Sequence, residues 1–177
     1  MYVVVDCESD GPIPGPYSMI AIGAVVVEPE LNRTFLTYIK PISDAWQPEA
    51  LAVSGFTREQ TKEEPFIPAE EAMAKFANWL KGVNNPRFIS DNNGYDWSFI
   101  NWYFHKFYGL NPFGFSSQNL NSLWKGFKNN LFSSFKKLRK TKHDHNPVND
   151  AKGNAEALLA MVEMFQPKGW SRIMKEK

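Results

Sequence analysis

The sequence predicts a mixed α/β sheet whose first three strands are antiparallel, and three observations support this fold class. The chain opens with three apolar runs, at residues 2–5, about 19–27 and about 34–39, separated by turn-forming residues. A fourth run, residues 87–90, follows a helical pattern. Helical spacing dominates the remaining chain, and this order of strands and helices is typical of a mixed sheet that is flanked by helices.

The first three strands are predicted from β-branched and apolar residues. Residues 2–5 favour a strand that is buried on both faces and ends in a polar turn at 6–16. Residues 28–33 lie between the next two runs and indicate a hairpin connection. Strands that follow one another this closely pair as an antiparallel meander.

The helices are predicted from apolar residues that recur every three or four positions. A short helical turn at 48–53 ends at Ser54. The longer predicted helices lie at residues 68–83, from about 96 onwards, and at 147–165. Residues 111–142 carry weaker patterns, and helices at 121–128 and 131–137 are expected there.

The length and composition indicate one globular domain over residues 1–177, with residues 166–177 as a peripheral tail. A chain with 43% hydrophobic and 22% charged residues can bury a core and is ordinary for a globular protein. Cys7 is the only cysteine, so an intrachain disulfide is impossible and a reducing cytoplasm is the expected location. The longest apolar run, 19–27, is far shorter than the roughly 20 residues of a membrane-spanning helix, so no membrane partner is expected.

The positive charges are concentrated in one part of the chain, although the net charge is only +1. No acidic residue occurs between Asp96 and Asp144. The basic residues of that stretch are Lys106, Lys125, Lys128, Lys136, Lys137, Arg139, Lys140 and Lys142. This separation of charge favours a polyanion, and residues 125–142, the basic segment, would follow its phosphates. A solvated surface of lysines is the alternative explanation.

Aromatic residues alternate with the charges of the basic segment. They are Trp124, Phe127, Phe132 and Phe135. Stacking on the bases of a nucleic acid would explain this alternation. Their helical spacing explains it equally well as core packing.

Two acids at the end of the first strand are the first indication of a metal site. Asp6 and Glu8 are two positions apart, so their side chains leave a strand on the same face, where two carboxylates repel each other. A divalent cation relieves that repulsion, and Mg²⁺ and Mn²⁺ prefer oxygen ligands. A pair of solvated loop acids is the alternative explanation.

Two further acids and a histidine lie at the starts of predicted helices. Asp96 follows the fourth strand, and Asp150 opens the last helix with His145 five residues before it. Capping of a helix by Asp96, and a favourable contact of Asp150 with the helix dipole, would each explain these acids without a metal. A loop position without a function would explain His145, and it is the expectation for its neighbour His143.

Together these residues resemble the motifs of the DEDDh family of 3′–5′ exonucleases, which includes proofreading exonucleases, RNase T and oligoribonuclease. The three motifs correspond to residues 5–11, 92–100 and 145–151. The resemblance spans residues 2–165, and the spacing of His145 and Asp150 is similar to that of the histidine branch of the family. Many relatives have histidine where Asp91 and Ser54 stand, a difference that concerns substrate preference.

The resemblance implies an RNase H-like fold, with a mixed five-stranded sheet flanked by helices, and a 3′–5′ exonuclease that releases nucleoside 5′-monophosphates from single-stranded RNA or DNA. The implied ligands of two Mg²⁺ or Mn²⁺ ions, roughly 4 Å apart, are Asp6, Glu8, Asp96 and Asp150. His145 would take the proton from the attacking water, a role that suits histidine because it titrates near neutral pH. The alternatives are an oligoribonuclease or tRNA-trimming enzyme of the same family, and a catalytically silent nucleic-acid-binding module.

The same resemblance implies further residues that contact the substrate, namely Ser9, Met19, Ser54 and Phe56. Lys140 and Lys142 are added from the basic segment, as contacts to the phosphates upstream of the cut. Met19 or Ile20 would wedge beside the last base and Phe56 would stack on it, with core packing as the alternative for all three. Asp10 and Asp91 lie near the site but are not expected to bind metal. Some relatives form homodimers, so a homodimer is a further possibility.

Overall fold

A five-stranded mixed sheet forms the centre of the protein, in a computed structural model that describes residues 1–173. The strands are β1 (Tyr2–Ser9), β2 (Met19–Val26), β3 (Thr34–Tyr38), β4 (Arg87–Ser90) and β5 (Ser117–Asn119). Their order across the sheet is β3-β2-β1-β4-β5. The first three strands pair antiparallel, whereas β4 is parallel to β1 and β5 is parallel to β4. The predicted fold class is therefore confirmed.

Strand β1 is longer than the sequence predicts and includes the first two acids of the candidate site. Asp6 and Glu8 pair with Gly23 and Ala21 of β2, so the expected polar turn begins after Ser9 rather than at Asp6. Pairing with β2 continues along the strand, and its hydrogen bonds hold the acidic residues in extended backbone.

Six α-helices lie within residues 1–173. They are α1 (Pro48–Val53), α2 (Ala69–Leu80), α3 (Asn93–Tyr103), α4 (Leu120–Lys128), α5 (Pro147–Phe165) and α6 (Trp170–Ile173). The predicted bounds of α1 and α5 are confirmed, whereas α2 is shorter than expected and α3 begins at Asn93 instead of near Asp96. In this part of the chain, no helix combines the length and the apolar character that a membrane crossing requires.

Residues 111–142 differ most from the sequence-based expectation. The fifth strand of the expected sheet, β5, has no recognisable pattern in the sequence, because all of its residues are polar and carry no apolar alternation. The expected helix at 131–137 is wrong, since only a 3₁₀ turn, Lys136–Leu138, forms there. Asn129 ends α4 with a left-handed backbone conformation, φ 46°, which prevents the helix from continuing.

The sheet has a hydrophobic core on each face, and the alternation along β1 decides which side chains enter which core. Val5 and Cys7 belong to the core beneath α2 and α3. Val4 belongs to the core beneath α4 and α5. Because successive side chains of a strand point to opposite faces, Asp6 and Glu8 point to the face that α5 covers.

The C-terminal part of the described chain packs at the surface of the second core. Trp170 is half-buried and stacks on Tyr2, with ring centroids 5.9 Å apart. The expected peripheral tail therefore lies at the surface as far as it is described. Residues 174–177 of that tail lie outside the described residues.

Gly23 allows α5 to approach the sheet beside Asp6. A β-carbon at position 23 would lie 2.1 Å from the carbonyl carbon of Pro147 and 2.2 Å from the amide nitrogen of Val148. Both are backbone atoms, so they cannot move aside unless the helix shifts. A larger residue at this position would therefore move the start of α5 away from β1.

We expect Gly23→Ala to lower the free energy of unfolding by roughly 3 kcal/mol, because the added methyl group overlaps the helix backbone. Chemical denaturation followed by circular dichroism measures the change. Gly126→Ala is the control, since Gly126 lies in α4 with open space around it. There the same substitution should raise the free energy of unfolding by up to about 1 kcal/mol. Equal effects at the two positions would contradict the close approach at Gly23.

Candidate active site

Four acidic residues from three elements meet at the end of β1. Asp6 and Glu8 lie on β1, Asp96 lies in the first turn of α3, and Asp150 lies in the first turn of α5. Carboxylate oxygens of Asp6, Glu8 and Asp150 are within 4.8 Å of one another, and oxygens of Asp6 and Asp96 are equally close. We call these four residues the acidic cluster. The structure thus brings together all four of the predicted metal ligands.

Asn146 fixes the start of α5 and with it the position of Asp150. Its side-chain oxygen accepts hydrogen bonds from the amides of Val148, at 3.1 Å, and Asn149, at 3.4 Å. Pro147 occupies the first helical position, where a missing amide hydrogen costs nothing. Asp150 therefore enters the cluster from the first turn of α5, where the helix dipole also favours a negative charge.

Asp96 enters the cluster from the opposite side. The residue that precedes α3 is Asn92, so helix capping by Asp96 is wrong as an explanation of this acid. The amide of Asp96 donates to the carbonyl of Asn92 at 3.1 Å. Its Oδ1 accepts a hydrogen bond from the amide of Cys7 at 3.3 Å, which ties α3 to β1 at the acidic cluster.

Two carboxylate oxygens of the cluster are buried without a hydrogen-bond partner. Asp96 and Asp150 are each 2% exposed, and among the described residues nothing donates a hydrogen bond to the Oδ2 atom of either. His143 Nδ1 lies 2.6 Å from Oδ2 of Asp150, which is the distance of an ion pair without the geometry of a hydrogen bond. Buried charged oxygens without partners are costly, and divalent cations such as Mg²⁺ bind through such oxygens. The cluster therefore fits a hard divalent cation.

Burial and mutual repulsion raise the pKa values of the cluster. Burial, followed by the charges of Asp150 and Asp96, raises the pKa of Glu8 to about 8. Burial and the nearby Asp91 raise the pKa of Asp96 to about 7. The pKa of Asp6 lies well above its ordinary value, first because of burial and then because of the surrounding carboxylates. At neutral pH, protons and metal ions therefore compete for the same oxygens.

The two histidines before α5 approach the cluster together. His145 is exposed and has a left-handed backbone conformation, φ 61°. A nitrogen of each imidazole ring lies within 4.8 Å of an oxygen of Asp150, and the centroids of the two rings are 4.7 Å apart. The expectation that His143 is a bystander stays a prediction, although its ring contacts Asp150 directly.

The two acids that were not expected to bind metal are each held by an arginine. Asp10 is fully buried and accepts from Arg58 Nη1 at 2.6 Å. Asp91 accepts from Arg139 Nη2 at 2.7 Å. One oxygen of Asp91 nevertheless lies within 4.8 Å of oxygens of the acidic cluster, so its charge adds to the negative potential there.

The residues that were expected to grip the last base are packed to different degrees. Met19 and Ile20 are fully buried, because β2 is covered on both faces, so the expected wedge is wrong and core packing holds for both. Phe56 is half-buried, with its ring centroid 5.3 Å from that of Tyr38 and 5.0 Å from that of Phe66. Only Phe56 therefore has an edge left to contact a base.

The two serines of the expected substrate site make internal hydrogen bonds. Ser9 is 3% exposed, and its hydroxyl donates to the carbonyl of Gly11 at 2.5 Å and contacts the hydroxyl of Tyr95. Ser54 ends α1, and its hydroxyl donates to the carbonyl of Leu51 at 2.7 Å.

The cations of the basic segment do not share one environment. Lys140 and Lys142 are exposed, as a contact with phosphates requires. Lys140 lies beside Glu156, which accepts a hydrogen bond from its amide at 2.7 Å. The side chain of Arg139 is only 9% exposed and is bound to Asp91, so it cannot follow a nucleic-acid backbone as the lysines can.

The aromatic residues of this region divide in the same way. Trp124 and Phe135 are buried, and Phe127 stacks on Phe165 with ring centroids 5.0 Å apart, so core packing explains all three. Phe132 is 98% exposed. Of the four aromatic residues, only Phe132 is therefore free to stack on a base.

Comparison with known proteins finds relatives among the 3'-5' exonucleases. The model of the 3'-5' exoribonuclease Rv2179c-like domain family matches residues 1–162. The protein named 3'-5' DNA exonuclease Cap18, from Escherichia coli, is 35% identical over 183 residues, which cover 97% of this chain and 97% of that protein.

Solved structures with the same fold include two exonucleases with bound ligands. The nuclease domain of 3'hExo, a DEDDh family member bound to rAMP, has a TM-score of 0.73 and 15% identity over 92% of each chain. Exonuclease I of Escherichia coli in complex with a dA16 oligonucleotide has a TM-score of 0.74 and 18% identity, and the match covers 97% of this chain and 42% of that chain. The expected RNase H-like fold of the DEDDh exonucleases is confirmed.

In the metal-free protein, we expect the melting temperature to fall by at least a few degrees as the pH rises from about 5 to about 8. Glu8 and Asp96 have pKa values of about 8 and about 7 in the folded protein, whereas carboxyl groups of an unfolded chain titrate near pH 4. The folded state therefore binds more protons in this window, and raising the pH favours the unfolded state. Thermal unfolding in EDTA at a series of pH values measures the effect.

Two controls accompany this measurement. Glu8→Gln should flatten the pH dependence, whereas Glu70→Gln, on the exposed surface of α2, should leave it unchanged. Added Mn²⁺ should raise the melting temperature more at pH 8 than at pH 6, because fewer protons then compete for the carboxylates. A metal-free melting temperature that rises across this range would contradict the raised pKa values.

Proposed function

The chain belongs to the family of 3'-5' exoribonuclease Rv2179c-like domains, and we propose that it removes nucleotides from the 3′ end of single-stranded nucleic acid with the help of divalent metal ions. The observation that carries this proposal is the acidic cluster, in which Oδ2 of Asp96 is buried and accepts no hydrogen bond, and Oδ2 of Asp150 is buried with only His143 beside it. Mg²⁺ or Mn²⁺ is the proposed cofactor, because every donor of the cluster is a carboxylate oxygen.

The proposed reaction is hydrolysis of the last phosphodiester bond. A water oxygen forms a bond to phosphorus, and the bond from phosphorus to the 3′ oxygen of the preceding nucleotide breaks. The products are a nucleoside 5′-monophosphate and a strand with a free 3′ hydroxyl. The acidic cluster would hold two ions, which when bound supply activation of the water and stabilisation of the departing oxygen.

His145 is the proposed general base, which takes the proton of the attacking water at an imidazole nitrogen. Its ring is exposed, and a ring nitrogen lies within 4.8 Å of an oxygen of Asp150. The side chain can therefore reach a water molecule beside the acidic cluster while remaining open to solvent. A base in hydrogen-bond reach of the proton is the geometric requirement for this role.

The proposed substrate is an unpaired 3′ end whose last nucleotide lies against the acidic cluster. The exposed side chains of Lys140 and Lys142 would contact the phosphates upstream of the cut, and the exposed edge of Phe56 would contact the base. The family is named for RNA and the 35% identical relative is named for DNA. Both sugars therefore belong in the test.

Stepwise shortening from the 3′ end is the expected result when 3′- or 5′-labelled single strands of RNA and DNA are incubated with the protein and Mg²⁺ or Mn²⁺. EDTA should abolish it, and Asp6→Asn and Glu8→Gln should lower the rate by at least about 1,000-fold. Glu70→Gln makes the same chemical change far from the cluster and should retain the rate. Binding of both strands without shortening under any metal would instead establish the silent binding module.

Replacing Lys140 and Lys142 together by glutamine should weaken the binding of single strands and reduce its salt dependence. Each lost phosphate contact should lower the slope of log affinity against log salt by about 0.7, hence by about 1.4 for the pair. Fluorescence anisotropy in the Asp6→Asn background measures binding without cleavage. Lys75 and Lys81, which lie on and at the end of α2, are the control pair. A slope that stays the same after the Lys140 and Lys142 changes would contradict their role.

A further inference from the structure

Three side chains from distant parts of the chain form a closed hydrogen-bonded group behind the acidic cluster. Arg139 Nη2 donates to Oδ2 of Asp91 at 2.7 Å and to Oδ1 of Asn154 at 2.6 Å. Asn154 Nδ2 donates to Oδ1 of Asp91 at 3.2 Å, which closes the group. We call it the Arg139 bridge. It connects the end of β4, the end of the basic segment and the second turn of α5.

The Arg139 bridge borders the acidic cluster on two sides. Asp91 has an oxygen within 4.8 Å of oxygens of Asp6 and Asp96. Asn154 follows Asp150 by four residues on α5, so the two side chains lie on the same face of the helix, one turn apart. A displacement of the Arg139 bridge would therefore affect the acidic cluster.

The bridge also fixes the first residue of the segment that carries His145. From Arg139 onwards the chain lies along α5, where Glu156 accepts hydrogen bonds from the amides of Lys140 and Thr141, each at 2.7 Å. Gly153 makes this approach possible, because a β-carbon there would lie 3.1 Å from the carbonyl oxygen of Thr141. Residues 139–145, the histidine segment, are thus bound to α5 from their first residue.

The far end of the histidine segment is bound to the acidic cluster itself. The amide of Asp144 donates to Oδ1 of Asp150 at 3.2 Å. His145 follows with a φ of 61°, a conformation that residues other than glycine seldom adopt without support from their surroundings. The ring of His145 is exposed, so little side-chain packing holds it. Its position therefore depends on how firmly the main chain of the segment is anchored.

We propose that Arg139, held by Asp91 and Asn154, is a positioning residue that sets the histidine segment over the acidic cluster, so that the contribution of His145 to hydrolysis depends on it. The inference rests on the proposed exonuclease function. It assigns Arg139 to the interior of the site instead of to the phosphate-binding surface, and it assigns Asp91 to the arginine instead of to a metal ion.

The contacts favour the bridge over two simpler roles for these residues. Arg139 Nη2 already donates to two acceptors and the side chain is 9% exposed, so a phosphate would have to compete with a partly buried ion pair. Both oxygens of Asp91 accept hydrogen bonds, one from Arg139 and one from Asn154. A metal ion bound through the remaining lone pairs of Asp91 would compete with Arg139 for its negative charge.

Hydrogen exchange tests the anchoring without reference to activity. In Arg139→Met, the amides of Lys140, Thr141 and Asp144 should exchange at least about 10-fold faster than in the wild type. Asp91→Asn keeps the shape of its side chain while removing its charge, and it should speed the same amides in the same direction. Arg58→Met is the matched control, because it removes another buried arginine–aspartate pair at 2.6 Å without touching the histidine segment. Unchanged exchange in both bridge variants would overturn the proposal.

A double-mutant cycle tests the catalytic consequence. Arg139→Met should lower kcat by roughly 10- to 100-fold with KM nearly unchanged. Adding His145→Ala should then lower kcat little further, because a misplaced His145 already contributes little to the rate. Arg58→Met and His145→Ala should instead be additive. Additivity of Arg139→Met with His145→Ala would overturn the positioning role. A wild-type protein that shortens no strand would refute the proposed function instead, a result that the cycle keeps separate from failure of the bridge.

Discussion

Repulsion among the carboxylates at the end of β1 is the constraint on which the arrangement of this protein depends. Asp6 and Glu8 lie in the strand that is paired between β2 and β4, and burial, followed by the charges of Asp96 and Asp150, raises the pKa of both. Without other contacts to hold them, these carboxylates would move apart. They stay together because the hydrophobic cores on both faces of the sheet fix the three elements, and because α5 can approach β2 closely at Gly23.

Two arginines leave the negative potential concentrated where it can attract a cation. Arg58 and Arg139 lie near the site, but each is bound to an acid outside the cluster, Asp10 and Asp91 respectively. Their charges offset those outer acids, while Oδ2 of Asp96 accepts no hydrogen bond within residues 1–173. The protein therefore neutralises the edge of the site and leaves its centre negatively charged.

Local periodicity explains why some of this was predictable from sequence. The i, i+2 spacing of Asp6 and Glu8 and the apolar stripe of α5 are each patterns within one element. The sequence therefore predicts both elements together with the acids that they carry. The burial of Met19 was missed because it depends on how deep β2 lies in the sheet, and β5 was missed because pairing alone makes its polar residues a strand. Arg139 looked like one more phosphate-binding cation because its partner is 48 residues away.

The large sequence separation between Arg139 and Asp91 follows from the composition of the region around Arg139. No acidic residue occurs between Asp96 and Asp144, so a buried arginine in this stretch must take its counter-charge from another element. The acids that supply the anchors, Asp91 and Glu156, lie at the end of β4 and on α5, the elements that also flank the acidic cluster. Glu156 binds main-chain amides and leaves the side chain of Lys140 in solvent. One segment is thereby fixed to the acidic cluster by its backbone and its arginine, while its lysines stay exposed to solvent.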